Sequence, residues 1–407
     1  MIRRPFLFPS LLGKHRPRRI WCGMANGSPH FTLSVHPRIA EIGEATWDAC
    51  AGDDNPFVSY GFLSALEDSG SVGKRTGWHP RYAVLQNTTG ATVAVCPAYA
   101  KTNSYGEYVF DHAWANALER AGGRYYPKLQ VAVPFSPVPG PRFLAAASFP
   151  VAAMAGALEQ LAAELDCSSV HATFCTAAEW ESLGEAGWLQ RLGTQFHWEN
   201  QGYKSFDDFL AELSSRKRKA IKRERRDAQA GLTFSALSGT QLTPQIWESF
   251  YRFYLSTVDR KWGGAYLTQE FFILLGERLA NKVVLMLASQ DGRPIAGALN
   301  LRGRQVLYGR NWGSIQDIPF LHFELCYYQA IDYAIAHGLV RVEAGAQGEH
   351  KIQRGYLPKP TYSAHWIANP SLRRAVADFL AAERPGMEQA MAAMAQDSPY
   401  KKSGAPE

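Results

Sequence analysis

The sequence predicts a mixed α/β (α+β) fold in which one unit is built twice in tandem, and two observations carry that prediction. The first is a hairpin grammar that recurs at domain spacing. From residue 82, "YAVLQNTTGATVAVCPAYA" reads as strand, polar glycine turn, strand, and about 200 residues later "VLMLASQDGRPIAGALNLR" repeats it with an Asp-Gly turn. The second is the order of the elements after each hairpin. The helical "VAAMAGALEQLAAELD", the strand "SVHATF", a polar segment ending in Gly187 and Trp188, and the strand "QFHWEN" are matched by "HFELCYYQAIDYAIAHG", "LVRVEAG", a segment ending in Gly355 and Tyr356, and "YSAHWIA". Val170 and Trp198 are 28 positions apart, and Val340 and Trp366 are 26 apart, so spacing and order agree together.

The elements divide into four stretches. Residues 1–30 form a basic leader: residues 1–23 hold six cations (Arg3, Arg4, Lys14, Arg16, Arg18, Arg19) and no acid. Without them 37 basic residues face 37 acidic ones, so the net charge of +6 does not describe the folded body. The leader is Arg-rich and acid-poor, as transit peptides are, but its apolar "FLFPSLL" is short and interrupted by Pro9. It is expected to be disordered, with Met24 as an alternative start. Residues 31–200 form the first unit, opening with "IAEIGEATWDACAG" and "SYGFLSALEDSG" as helices. Residues 201–370 form the second, opening with a charged helix and then "PQIWESFYRFYLSTVDR" and "TQEFFILLGERLA". Gly338 closes the helix before the strand "LVRVEAG" as a C′ residue. Residues 371–407 add a C-terminal helix whose tail, after about residue 385, is expected to fray.

Composition excludes several classes. A chain of 407 residues exceeds one ordinary core, and 46% hydrophobic with 12% aromatic residues excludes disorder. The six cysteines form no CxxC and do not cluster with histidines, which argues against zinc or any metal site and against a disulfide framework, and favours a reducing cytoplasm. No apolar run approaches the ~20 residues of a membrane span. No GxSxG, P-loop or HExxH motif occurs, so hydrolase, nucleotide-hydrolysing and zincin chemistries lack support.

The element order resembles the GNAT acyltransferase unit, and its tandem repetition resembles the Fem-type peptidoglycan aminoacyltransferases and the wider FemAB-like N-acyltransferase group. "VPFSPVPGPRFL", "LHFELCYYQAIDYAI" and "GAQGEHKIQRGYLPKPTYSAHW" are similar to signature stretches of a little-characterised bacterial branch of that group, over about residues 31 to 370. The resemblance implies transfer of an acyl or aminoacyl group from acyl-CoA or aminoacyl-tRNA, with no tightly bound cofactor, to a small-molecule or peptide amine such as a cell-wall precursor. In GNAT-type units the carrier's pyrophosphate lies on backbone N–H groups ahead of the third helix. "SPVPGPR" (136–142) occupies that place, with Gly140 allowing close approach and Arg142 supplying charge; its three prolines have no N–H to donate.

An amine nucleophile must lose a proton, and Glu343, Glu349, His350, His322 and Glu324 are the candidate bases. The carbonyl under attack gains negative charge, for which Lys351 is the candidate cation. Lys351, followed by Gly355 and Tyr356, resembles the lysine that precedes an aromatic and glycine pair in the second Fem-type domain, with that pair reversed here. Gln347, Arg354 and Tyr356 extend the candidate substrate site, and "YGRNWGS" adds Arg310 and Trp312. The plain alternative is a polar loop shaped by its glycines; what favours a site is the loop's place just past a strand alternating Val340, Val342 and Ala344 inward. His322 and Glu324 equally suit a helix first turn.

The run from Arg216 to Arg226 holds eight cations and one acid. Leu210, Leu213, Ile221 and Ala228 make it an amphipathic helix with a solvated basic face; on the sharper reading Lys217, Arg218, Lys222 and Arg225 hold a phosphate-bearing carrier such as tRNA. No room exists for a long two-helix arm before residue 247. The rival to an enzyme is a non-catalytic ligand-binding protein that kept the GNAT-like fold and lost donor binding, and the prolines of "SPVPGPR" support it.

Overall fold

The computed structural model describes residues 19–22, 31–261, 264–345 and 348–401. The first half runs β1 (Arg19–Cys22), β2 (Phe31–His36), α1 (Glu44–Ala51), α2 (Tyr60–Asp68), β3 (Trp78–Pro80), β4 (Tyr82–Gln86), β5 (Thr92–Cys96), β6 (Ala98–Lys101), α3 (His112–Arg120), β7 (Lys128–Val131), α4 (Val151–Glu164), β8 (Ser169–Cys175), α5 (Ala177–Glu185) and β9 (Leu189–Glu199). The second runs α6 (Phe206–Ala211), α7 (Ser215–Gln229), β10 (Thr233–Leu237), α8 (Pro244–Lys261), α9 (Gln269–Arg278), β11 (Val283–Gln290), β12 (Arg293–Arg302), β13 (Val306–Ser314) and α10 (Leu321–Phe323). A π-turn (Glu324–Tyr328) carries α10 into α11 (Gln329–Ala336), followed by β14 (Arg341–Glu343), a 3-10 turn (Glu349–Arg354), β15 (Leu357–Ile367) and α12 (Pro370–Gln396).

Local chemistry explains the repeated hairpins. Asp291 and Gly292 have φ of 49° and 74°, the positive pair a tight two-residue turn between twisted strands requires, and Gln290 pairs with Arg293 across it. In the first half Pro97 interrupts the corresponding run. β5 therefore joins a four-stranded sheet ordered β1-β2-β4-β5, while β6 enters an eleven-stranded sheet. Residues 19–22, expected within a disordered leader, pair with β2 as that small sheet's edge; the rest of residues 1–30 lies outside the described residues.

The large sheet is ordered β10-β11-β12-β13-β14-β9-β15-β8-β7-β6-β3. Its centre is the antiparallel pair β9 and β15, the last strand of each half. Each has crossed to the other half: β9 pairs with β14 and β15 pairs with β8. Counting outward from this pair, β14 matches β8, β13 matches β7 and β12 matches β6, so the duplication appears as an approximate two-fold. One apolar cluster spans both halves, from Trp47, Phe57 and Phe62 to Phe250, Phe271, Leu285 and Tyr308. There α2 and α9 meet, with the rings of Phe62 and Phe271 at 5.6 Å edge to face. The opposite face of the second half is covered by α6, α7, α10 and α11.

This arrangement corrects two expectations. The strand "VRVEAG" was expected to turn Val340, Val342 and Ala344 inward with Arg341 and Glu343 on the other face; Val342 is buried, but Val340 is 46% exposed and Glu343 is buried as well, because the first half covers its face. The tail does not fray after residue 385. Helix α12 continues through Pro385 to Gln396, and the strap after it is tied down: Ser214 N donates to the Pro399 carbonyl (3.0 Å) and the Tyr400 hydroxyl to that of Gly355 (3.0 Å). Residues 402–407 lie outside the described residues. Among the described residues no helix is long and apolar enough to cross a membrane.

Gly313 near the end of β13 is where helix α8 crosses the sheet most closely. A Cβ there would stand 1.8 Å from the Phe253 carbonyl oxygen. Gly313→Ala is expected to lower stability by about 3 kcal/mol, because a backbone atom must move. Gly156→Ala in α4, where a Cβ meets nothing within 4 Å, should be neutral or raise stability by about 0.5 kcal/mol. Urea denaturation of the two variants reads the contrast.

Candidate active site

Strands β13 and β14 are parallel neighbours that pair only from Val306–Arg341 to Tyr308–Glu343. Beyond Tyr308, β13 continues to Ser314 while β14 has ended, and a gap opens in the middle of the sheet. Leu299 of β12 faces two residues of β13, Arg310 and Asn311, a bulge that turns the strand and sends consecutive functional side chains to opposite faces. Arg310 reaches the first half, where it donates to the Phe135 carbonyl at 2.5 Å and lies close to Tyr108. Trp312 points the other way, its ring 5.0 Å from that of His322.

Glu343 ends β14 at the mouth of this gap, on the face turned toward the first half. Its neighbour Val342 packs into the opposite cluster, and its register partner Tyr308 belongs to the core shared by the halves. Only 2% of Glu343 is exposed. Arg341 Nη2 stands 2.9 Å from one carboxylate oxygen and His197 Nε2 4.0 Å from the other, yet neither oxygen accepts an aligned hydrogen bond from the described residues. Burial raises its pKa to about 7, with Arg341 opposing the rise. Burial also holds His197 down at about 3, so the imidazole beside Glu343 is neutral. Such a carboxylate can take a proton near neutral pH, the property a general base for an amine needs.

The other face gathers the residues of the signature loop. Lys351 is buried, donates to the Gly345 carbonyl (3.1 Å) and lies 5.6 Å from the ring centre of Phe196; burial lowers its pKa to about 8. His350 Nε2 is 3.0 Å from the Tyr327 hydroxyl, and the His350 and His322 rings are 6.0 Å apart. His322, Trp312, His350 and Lys351 thus line one side of the gap, next to the π-turn, a helix irregularity that recurs at functional sites. Glu349 is exposed and Gln347 lies outside the described residues.

Three of the expected site residues have structural duties instead. Tyr356 is fully buried and its hydroxyl donates to the Tyr327 carbonyl (3.1 Å). Glu324 is fully buried and accepts from Arg225 (3.0 and 3.2 Å), Gln229 (2.9 Å) and Gln329 (2.8 Å), so its carboxylate anchors α7 rather than facing the gap. Arg354 lies 3.4 Å over the Phe323 ring, donates to the His350 carbonyl (2.7 Å) and to Glu224 (2.8 Å). Glu224, the single acid of the basic run, is the residue sequence reasoning missed. It is on the inner face of α7, holding both Arg354 and the Tyr328 hydroxyl.

Of the four cations expected to grip a carrier, Arg225 is turned inward onto Glu324 and Asp332 and Lys222 pairs with Asp207. Lys217 and Arg218, with Arg216, Lys219 and Arg223, form no ion pair among the described residues and leave the outer face of α7 strongly positive.

The first-half loop 136–142 is closed. Arg142 is 1% exposed, and its guanidinium donates to the carbonyls of Val138, Gly140, Pro141 and Thr173 at 2.7 to 3.2 Å. Glu179 accepts from the N–H groups of Arg142 and Phe143 (both 2.7 Å), and Gly140 N donates to the Phe174 carbonyl (3.0 Å). Gly140 is needed because a Cβ would strike the Asn55 amide at 2.3 Å. The charge of Arg142 and the N–H of Gly140, expected to hold a pyrophosphate, instead hold this loop to itself.

The FemAB-like family profile, described as peptidoglycan biosynthesis/recognition, matches residues 38–402. The C-terminal domain of a putative lysylphosphatidylglycerol synthetase from Agrobacterium fabrum is similar with a TM-score of 0.53 at 12% identity, covering 84% of this chain and 96% of that one. FemX is similar with a TM-score of 0.51 at 11% identity, covering 84% and 99%. At these identities the likeness is one of fold. No curated protein matches.

The contacts of Glu224 and Arg354 should be energetically coupled, since each is largely buried and each is the other's charged partner. A double-mutant cycle of Glu224→Ala and Arg354→Ala, read by urea denaturation, is expected to give a coupling of about 2 kcal/mol. A coupling near zero would show that α7 and the 3-10 turn are not tied through this pair.

Proposed function

The chain belongs to the FemAB-like family and has its tandem GNAT-like architecture, and on that premise we propose that it transfers an acyl or aminoacyl group from an activated carrier to an amine acceptor of cell-wall precursor type. The observation that carries this reading is Glu343: a buried carboxylate with no aligned hydrogen bond, held near neutral pKa where the sheet parts. The acceptor amine approaches on the Glu343 face. Its nitrogen bonds to the carrier's carbonyl carbon and its proton passes to Glu343, while the ester or thioester bond breaks and releases the carrier. Lys351 and the His350–Tyr327 pair supply positive charge and hydrogen bonding from the other face.

The carrier reading rests on charge. The first-half loop has no open nest for a pyrophosphate, whereas the outer face of α7 offers a row of uncompensated cations on the same face of the sheet as Lys351. That favours a polyanionic carrier such as aminoacyl-tRNA over acyl-CoA. The closed loop also supports a first half that binds without reacting, which is where the non-catalytic alternative retains its support.

A coupled assay of aminoacyl transfer tests the proposal. Glu343→Gln is expected to reduce kcat/KM by about 10²- to 10⁴-fold. The wild-type profile should rise with pH through about 7, as Glu343 loses its proton, and fall above about 8, as Lys351 loses its charge. The same shift has a stability sign. The folded pKa lies above the usual carboxylate value of 4.5, so the fold favours the protonated form, and that stabilisation is lost as pH rises from about 4.5 to 7. Glu343→Gln should therefore match wild type at pH 4 and exceed it at pH 8, by an amount on the order of 2 kcal/mol. Retained activity in Glu343→Gln at neutral pH would falsify the assignment.

Carrier choice is read separately. Arg216→Ala, Lys219→Ala and Arg223→Ala together should weaken tRNA binding and flatten its salt dependence by roughly three charges. Acyl-CoA binding that is indifferent to these changes, with no tRNA binding, would replace the carrier.

A further inference from the structure

We infer that residues 102–111, between β6 and α3, form a carbohydrate-stacking lip on the acceptor side of the gap. The stretch "TNSYGEYVFD" sorts its side chains in two directions. Ser104, Glu107 and Asp111 turn inward onto Lys128, which donates to Ser104 (2.8 Å), Glu107 (2.6 Å) and Asp111 and is itself fully buried. Tyr105, Tyr108 and Phe110 turn outward and are 62%, 37% and 61% exposed. They make up half of the six exposed large apolar side chains among the described residues, and Tyr105 and Phe110 each lie 6.3 Å from the ring of His112, so these two flank one imidazole.

The backbone beneath the patch is fixed as few loops are. The Tyr105 carbonyl accepts from Lys101 Nζ (3.0 Å) and from Trp78 Nε1 (3.1 Å). Gly106, at φ 79°, lies against the Phe135 ring, where a Cβ would come within 2.5 Å, and its carbonyl accepts from Phe135 N (3.2 Å). Unlinking Lys128 would strand two buried carboxylates, so the ionic knot holds the loop in one shape. Three aromatic rings in water on a rigid frame contribute nothing to the core; a rigid, amphipathic aromatic surface is what a binding site gains at low entropic cost.

Its place identifies the ligand. Phe135 receives Arg310 of β13 on its carbonyl, and its ring stacks on Tyr266 (5.0 Å, 12°). Tyr108 lies close to the same Arg310. The lip therefore continues the Glu343 face of the gap, where the proposed acceptor enters, and the inference rests on that reading for its location. Flat rings edged by tyrosine hydroxyls and the His112 imidazole suit the C–H face and hydroxyl rim of a sugar ring. The lip's charged groups, Glu107, Asp111, Lys128 and Arg310, are all turned onto protein partners, so a phosphate is not what it selects. The family's peptidoglycan description makes the sugar an amino-sugar of a wall precursor.

Calorimetric binding of an N-acetylglucosaminyl-N-acetylmuramyl peptide to the full chain tests this without turnover. Tyr105→Ala with Phe110→Ala should raise Kd roughly tenfold, and Tyr105→Trp should bind as wild type does. Both variants should keep the wild-type Tm, since the changed side chains lie outside the core. A double variant that binds the probe as tightly as wild type overturns the lip, and so does a wild type that ignores the probe but binds anionic phospholipid vesicles through Tyr105 and Phe110. Glycan binding lost in the double variant, in a protein that transfers no acyl group, would leave the lip standing and remove the transferase reading instead.

Discussion

The exchange of the last strands is the constraint on which the rest of the molecule depends. Because β9 completes the second half and β15 the first, neither half can close its sheet alone, and where β9 meets β14 both faces are covered, Trp198 and Val342 packing into one cluster and Tyr308 of the next strand into the other. That double cover takes Glu343 out of water. In a lone unit the Glu343 side of β14 would be solvated and its carboxylate would titrate as an ordinary acid; here it is buried and titrates near 7. Duplication thus produces a carboxylate that titrates near neutral pH, and does so through burial more than through any new side chain.

The second half adds a link between surface charge and the groups beside the gap. Helix α7 shows cations outward, while inward Glu224 and Arg225 hold the 3-10 turn through Arg354 and the π-turn through Glu324. The turn carries His350 and Lys351, and the π-turn follows His322. A polyanion on the outer face therefore meets a helix whose inner face fixes the groups nearest the gap. The strap at 399–401 closes the same circuit by joining the start of α7 to Gly355.

How far the sequence foretold this depended on the range of each signal. The repeated hairpins and helix order were legible because turn chemistry and periodicity are local; Asp291 and Gly292 specify their turn wherever they stand. The strand exchange was not legible, because a strand's pattern says which face is apolar and nothing about which neighbour it will have. Hence Glu343 was named among the bases, on the face opposite Val342, with nothing in the strand's pattern to say that this face would be covered. Glu224 and Arg225 were read with their neighbours as one solvated basic face, since side chains three or four positions apart separate inward from outward only once the packing partner is known. Arg142 failed for a related reason: a cation beside a glycine suits an anion, but carbonyls left over from prolines satisfy it equally well.

The two halves also show what a duplicated site becomes when one copy is filled. Strand register makes His171 and His365 the counterparts of Glu343 and His197, within the repeated His-Trp pairs "FHWEN" and "AHWIA". In the first half His171 Nδ1 is 2.8 Å from His365, and its Nε2 is 2.8 Å from Ser169 and 3.3 Å from Tyr125, which in turn joins Asp111 and the Lys128 knot. Both ring nitrogens are engaged, burial holds the ring neutral with a pKa of about 3, and nothing remains to meet a substrate. In the second half the equivalent carboxylate has company but no aligned hydrogen bond. An unmade bond at a buried acid is a standing cost of folding; in the first half the histidine at the matching position makes its bonds, and the unmade ones lie behind it, at Glu107 Oε1, Asp111 Oδ1 and His365 Nε2. At Glu343 the sheet parts beside the acid, with Lys351 and a basic helix on the far side, so its unmade bonds stand at the end of the β13–β14 ladder and those of the first half stand inside a closed ionic knot.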